Sequence, residues 1–339
     1  MIWLAWRQFR AQALAALILL AGATVYFVAT GLRMHQSYTT DLATCGALND
    51  CDSVLDQFRF TWGPPFQLNQ LLVVLVPALI GIFWGAPLIG RELETGTYQV
   101  AWNQTVTRNR WLGVKLTVVG LASVATAGLL SYLLTWWAGP IDQMNGDRFT
   151  AMTFSSRDIV PFAYAAFAFA LGTTMGLLLR RTVAAMAVTL VVFIAIQILV
   201  PAVVRPHLLP STTTTFAINA TTGSLSNGID IRGGNLYFNP PVPAGAWVIS
   251  GAPVQDASGR AVMIGDYPSC FPPPVGVVKF KFDPAQISQC LGQYNLHETV
   301  TYQPASHYWP LQWFESGIFL ALAAALSGTC FWWIRRRRS

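Results

Sequence analysis

Charge is what this chain has least of. Asp, Glu, Lys and Arg make up only 11% of its 339 residues, and 53% are hydrophobic, whereas a soluble domain carries roughly a quarter charged residues. So few charges could hardly cover the surface of a soluble protein of this size. Disorder is excluded on the same ground, because disordered chains are poor in apolar residues and rich in charge. A net charge of +6 does not indicate nucleic-acid binding, because the basic residues never gather into one stripe. Lysine occurs three times, at Lys115, Lys279 and Lys281, and none lies in a G-x-x-x-x-G-K-[ST] loop. No H-E-x-x-H or G-x-S-x-G motif is present. No catalytic, metal or cofactor site is expected in the chain itself.

What is present is long apolar runs. A helix needs about 20 apolar residues to cross the hydrocarbon core. Six stretches meet this: Ala11–Thr30, Leu71–Ile89, Leu116–Ala138, Val160–Leu179, Thr182–Val204 and Ser316–Ile334, none containing Asp, Glu, Lys or Arg. The first is longer than the apolar core of a signal peptide. Carriers coupled to ions usually place ionisable groups in the membrane, and their absence from these stretches argues against that mechanism. The expected fold is an all-α membrane protein with six transmembrane helices.

The charges orient it. Placing the N-terminus in the cytoplasm gives inner segments with twelve basic residues and two acids, and outer segments with nine basic residues and thirteen acids. Lys and Arg near span ends favour the cytoplasmic side, so both termini are expected there. Trp136, Trp137, Trp309, Trp313, Trp332 and Trp333 lie at span ends and read as headgroup-level anchors.

Cys45 and Cys51 share the first outer loop, residues 31–70, and Cys270 and Cys290 share the third, residues 205–315. Four cysteines allow three pairings. Local pairing within each loop is the simplest, on the oxidising side of the membrane. The second outer loop is 139–159. The third is long enough for a β-rich or irregular extracytoplasmic domain between the fifth and sixth spans, with strands expected at Ala246–Ser250, Val275–Phe282 and Thr299–Gln303. The domain layout is thus an amphipathic interfacial helix over 1–10, spans one to five over 11–204, the outer domain over 205–315, and the last span with its basic tail over 316–339.

On the inner side, Ile2, Trp6 and Phe9 form one face of the first segment, while Arg7 and Arg10 fall on another; such a helix suits the interface before the chain turns into the membrane. The loop 90–115 carries the two inner acids, Glu92 and Glu94, beside Arg91, Arg108, Arg110 and Lys115, with a helix break expected at Thr95-Gly96-Thr97. The acids are expected to pair with Arg91, Arg108 or Arg110, or with a partner's basic residues. In the spans, Pro77, Pro87 and Pro201 interrupt helix hydrogen bonding, and Ala168, Gly172 and Gly176 form a small-xxx-small packing face. Gln197 reads as a path-lining group or as an interhelical hydrogen-bonder, and Phe193, one turn away, as packing or pocket.

The segment GRELETGTYQVAWNQTVTRNRWLGVK after the second span, with the opening MIWLAWRQFRAQ and the closing YQPASHYWPLQWFESGIFLALAAALSG, resembles actinobacterial permease subunits of ABC-2-type exporters. The family pattern of an acid, a Gly-Thr pair, an Arg and a Lys opening the third span falls on Glu92 or Glu94, Gly96-Thr97, Arg108 and Lys115. The large third outer loop departs from many relatives. The resemblance implies a homodimer of permeases in membrane lipid, two ABC ATPase subunits that hold the ATP and Mg, and export of drug-like, peptide or lipid substrates. It places ATPase coupling at residues 90–112, including Arg91, Glu92, Glu94, Thr95, Gly96, Thr97, Arg108 and Arg110 with Lys115 following, and at the N-terminal Trp6, Arg7 and Arg10. It places the substrate path on the second and fifth spans, with Phe83, Trp84, Phe193 and Gln197 as candidates. The alternative expectation is a membrane sensor or immunity protein whose outer domain binds a ligand without transport.

Overall fold

A computed structural model describes residues 2–48, 51–96, 107–146, 148–219, 229–238, 242–271 and 284–336, with the side chains of 2–9, 46–48, 52, 145, 284 and 285 outside that description. The chain forms two compact units, Met1–Arg205 with Trp309–Ser339, and Pro206–Tyr308. Six helices are long and apolar enough to cross a membrane.

The first unit holds these helices. The first is α1 (Ile2–Leu48) and the second is built from α2 (Cys51–Ile80), a π-helical turn Gly81–Gly85, and α3 (Ala86–Thr95). α4 (Arg108–Trp137), α7 (Val160–Leu179), α8 (Thr182–Leu199) and α10 (Tyr308–Arg336) are the others, with the short α5 (Gly139–Asn145) and α6 (Ala151–Ser156) between α4 and α7. Three sequence expectations are corrected here. Residues 2–10 are not a separate interfacial helix, because α1 runs through them into the span with no Gly or Pro before Gly22 to break it. The segment 31–70 is not a loop. α1 and α2 continue beyond their apolar stretches as a helical hairpin, joined at the Cys45–Cys51 disulfide. Trp137 is no interfacial anchor: it is fully buried, donates its indole N–H to Thr30 at 2.9 Å, and packs with Phe27, Trp62 and Phe66.

The fourth span, α7, is the centre of the bundle. Its most apolar window is 72% buried, against 6% for the first span. The reason is glycine. A Cβ on Gly172 would lie 2.2 Å from the Gly81 carbonyl oxygen, and one on Gly176 would lie 2.5 Å from that of Ala86. Reciprocally, one on Gly85 would lie 2.7 Å from the Phe169 carbonyl oxygen. The second and fourth spans therefore meet backbone to backbone, which only small residues permit. The π turn sits on this seam, between Pro77 and Pro87. Pro87 has no N–H for the carbonyl of Phe83 four residues earlier. Gln12, on the first span, donates to that carbonyl instead, at 3.0 Å. A second π turn, Val200–Val204, contains Pro201 at the end of the fifth span.

The second unit holds an antiparallel sheet of order β1 (Thr212–Ala217), β5 (His297–Gln303), β4 (Trp247–Gly251), and a hairpin of β2 (Asp230–Arg232) and β3 (Asn235–Tyr237). The strands expected at Ala246–Ser250 and Thr299–Gln303 are β4 and β5, and Val275–Phe282 lies outside the described residues. The threonine run 212–215 lies in the edge strand β1, with Thr213 and Thr215 facing Thr301 and Thr299. The β2–β3 turn is Gly233-Gly234, both at positive φ, as a two-residue hairpin requires. Phe238, Val254, Val262, Leu291 in α9 (Pro284–Leu291) and Leu296 form the core, fastened by the Cys270–Cys290 disulfide. Glu298 lies inside this unit, accepting the Phe238 N–H at 2.8 Å, and burial pushes its carboxyl from 4.5 up to about 7.

Two outcomes are expected. Gly172→Leu forces the second and fourth spans apart and costs about 3 kcal/mol. Gly22→Ala, where a Cβ meets nothing within 4 Å, leaves thermal stability in nanodiscs unchanged or slightly raised. For Glu298, the folded state holds a proton that the unfolded chain releases between pH 4.5 and about 7. Stability of Pro206–Tyr308 is thus highest below that window, falls as pH rises through it and is flat above. Hydrogen exchange across this unit should show that slope in the full chain, and Glu298→Gln should remove it.

Candidate functional site

The end of the bundle bearing Arg10, Arg91, Arg108, Arg110, Arg180, Arg181 and Arg335 is the candidate coupling site. α3 ends at Thr95, whose hydroxyl donates to the Arg91 carbonyl at 2.9 Å, and Gly96 takes the left-handed conformation at φ 72° that favours glycine. α4 begins at Arg108 behind Thr107, whose hydroxyl accepts the Arg110 N–H. Thr97 lies outside the described residues, as do the side chains of Trp6 and Arg7. Arg10, Arg91, Arg108 and Arg110 are exposed.

The two acids have internal partners. Glu92 accepts from Lys115 Nζ at 2.5 Å, and the lysine is almost fully buried, its ammonium 4.6 Å from the centre of the Trp111 ring. Glu94 Oε2 accepts the Thr182 backbone N–H at 3.0 Å and its hydroxyl at 2.7 Å. The first N–H groups of a helix lack partners within the helix, and Arg181, preceding α8, supplies no side-chain cap. Glu94 therefore caps the fifth span from the second and sets a negative charge against its dipole. Glu92 ties the second span to the third. Behind them Ile89, Trp111, Leu112, Leu177, Cys330 and Ile334 pack as one cluster. The expectation that these acids meet Arg91, Arg108 or Arg110 overlooked Lys115 and Thr182, which lie across neighbouring helices rather than along the loop.

The four candidates for a substrate path have different surroundings. Phe83 is exposed at 53%, whereas Phe193 is buried and stacked on Phe167. Trp84 packs beside Ala13 and Ile80. Both amide atoms of Gln197 are buried without a hydrogen-bond partner among the described residues, so none of these supplies the interhelical bond.

Sequence reasoning missed a cluster at the opposite end. Arg205 and Glu315 are fully buried and joined in a fork, Nε to Oε2 at 2.8 Å and Nη2 to Oε1 at 3.0 Å. Tyr164 donates its hydroxyl to the same carboxylate, Nη2 also donates to Ser155 at 3.1 Å, and the guanidinium lies 4.0 Å from the Phe154 ring centre. Gln312 accepts the Val160 N–H that opens α7, at 3.1 Å. The fourth, fifth and sixth spans are thus fixed to one another by polar groups. A signal was available: Arg205 directly follows one apolar stretch and Glu315 directly precedes the next. They were read as outer-loop charges because the helices outrun their apolar stretches. Nearby, Arg157 pairs with Asp142 and lies over Phe66, and burial pushes the Asp142 carboxyl up against the pull of Arg157.

Breaking the buried pair leaves one uncompensated charge. Arg205→Met should cost roughly 3–5 kcal/mol of stability, and the Arg205→Met/Glu315→Leu double variant should recover most of it; thermal unfolding of purified protein measures both.

A family model described as ABC-2 membrane transporter related matches residues 17–205, from the first span through Arg205. No curated protein and no solved structure matches the chain.

Proposed function

Because the chain belongs to the ABC-2 membrane transporter related family, we propose that it is the permease subunit of an ATP-driven exporter, working with a separate ATPase subunit. The observation that carries this reading is the end of the second span. There Glu92 and Glu94 fasten one short helix to the third and fifth spans at once. A partner pushing on the end of α3 would therefore move three spans together. The exposed arginines around it, Arg91, Arg108 and Arg110, offer cations to acidic groups on that partner. In this reading the basic end is cytoplasmic with both termini, two ATPase subunits hold the ATP and Mg, and two copies of this chain form the transporter. The substrates are amphipathic, drug-like, peptide or lipid molecules. The path runs along the second and fifth spans, where the unpartnered amide of Gln197 and the exposed ring of Phe83 would meet substrate or the second copy.

The test is co-purification from the native host followed by reconstitution. An ATPase subunit should accompany the chain. Arg91→Glu/Arg110→Glu should lower stimulated ATP turnover at least tenfold while thermal stability stays within about 0.5 kcal/mol, as for surface substitutions. Glu94→Arg should lower both, since it removes a helix cap worth about 1 kcal/mol. A chain that purifies alone and acts without any ATPase would sink the proposal.

A further inference from the structure

A cavity lies between α2 and the short helices α5 and α6, lined by neither the coupling residues nor the four path candidates. The segment Phe58–Gln70 of α2 precedes the apolar stretch that starts at Leu71. Along it Phe58, Trp62 and Phe66 recur every four residues and so share one face. Opposite them stand Ile141 and Met144 from α5 and Met152 from α6, and between lies a half-open slot of about 650 Å³. That volume falls within the roughly 300–1,000 Å³ of small-molecule sites.

The walls and the rim differ in chemistry. The walls carry three aromatic rings and two methionines, rigid surfaces and adaptable ones. The polar groups at one side, Gln70, Thr153 and Thr150, are bonded to one another at 2.8 and 2.7 Å. The charged lining residue is Arg59, and it carries Asp56 with it at 2.9 Å, both substantially exposed. The rim therefore presents both signs side by side. We propose that the slot binds a single-chain zwitterionic amphiphile of the lysophospholipid class. Its hydrocarbon chain lies between the aromatic and methionine walls, its phosphate meets Arg59 and its ammonium meets Asp56. The site does not depend on the exporter reading, because binding can be measured without any ATPase.

Gly63 provides the instrument. It lines the slot, and a Cβ there meets nothing within 4 Å, so a larger side chain projects into open space instead of against a neighbour. The full chain in nanodiscs would be irradiated with a lysophosphatidylcholine bearing a diazirine in its acyl chain, and adducts mapped by mass spectrometry. Saturable labelling is expected near Trp62, Met144 and Met152, competed by unlabelled lysophosphatidylcholine. Gly63→Phe should lower it at least fivefold with an unchanged melting temperature, while Gly63→Ala and Gly22→Phe retain it. Arg59→Glu/Asp56→Ala should weaken the zwitterionic probe several-fold but not an uncharged monoacylglycerol probe. Labelling spread over the lipid-facing helix surfaces, or labelling of the slot that survives Gly63→Phe in folded protein, would overturn the binding site. Equal weakening of the charged and uncharged probes by the rim variant would overturn the head-group assignment.

Discussion

The contact between the backbones of the second and fourth spans is the constraint on which the rest of the bundle depends. With hydrogens for side chains at Gly81, Gly85, Gly172 and Gly176, two helices come closer than any Cβ would allow. In lipid, helices gain little by hiding apolar surface from one another, so packing and close approach must hold them. The close seam makes α7 the buried axis. It also accommodates a π turn between two prolines. The carbonyl that this arrangement strands is bonded by Gln12 from the first span. A local break in one helix thus becomes a link to another.

Polar groups finish what the seam begins, and they act at the helix ends. At the basic end the second span reaches the third through Glu92 and Lys115, and the fifth through Glu94 and Thr182. At the opposite end Arg205, Glu315, Tyr164 and Gln312 bind the fourth, fifth and sixth spans. Buried charges of this kind are weak evidence for stability, since desolvation offsets much of their attraction. Their value lies in geometry: each fixes which helix ends move together. The family match stops at Arg205, a member of this second cluster, where the chain passes from the first unit into the second.

Much of the fold was legible in the sequence. The six spans follow from length and apolar content, because the thickness of a bilayer is a fixed requirement. The disulfides follow from two pairs of cysteines, each pair lying between the same two apolar stretches. The helix break expected at Thr95-Gly96 is where α3 ends. The pairing of its acids was not legible, because Lys115 and Thr182 are 23 and 88 residues away from Glu92 and Glu94. Trp137 shows the same limit. A tryptophan at a span end looks like an anchor until the helix beside it continues outward and buries it.

By itself the sequence determined that this chain is a multi-pass membrane protein, which six stretches are long and apolar enough to cross, and where its basic residues gather, since hydropathy and charge act residue by residue. Only the tertiary structure decided where the few charges went. Several that looked like loop residues are buried at helix ends, because helices continue past their apolar stretches and carry polar side chains into contact with one another. Scarcity of charge was visible from composition; that the remaining charges fasten the spans together depends on distances between residues far apart in the chain.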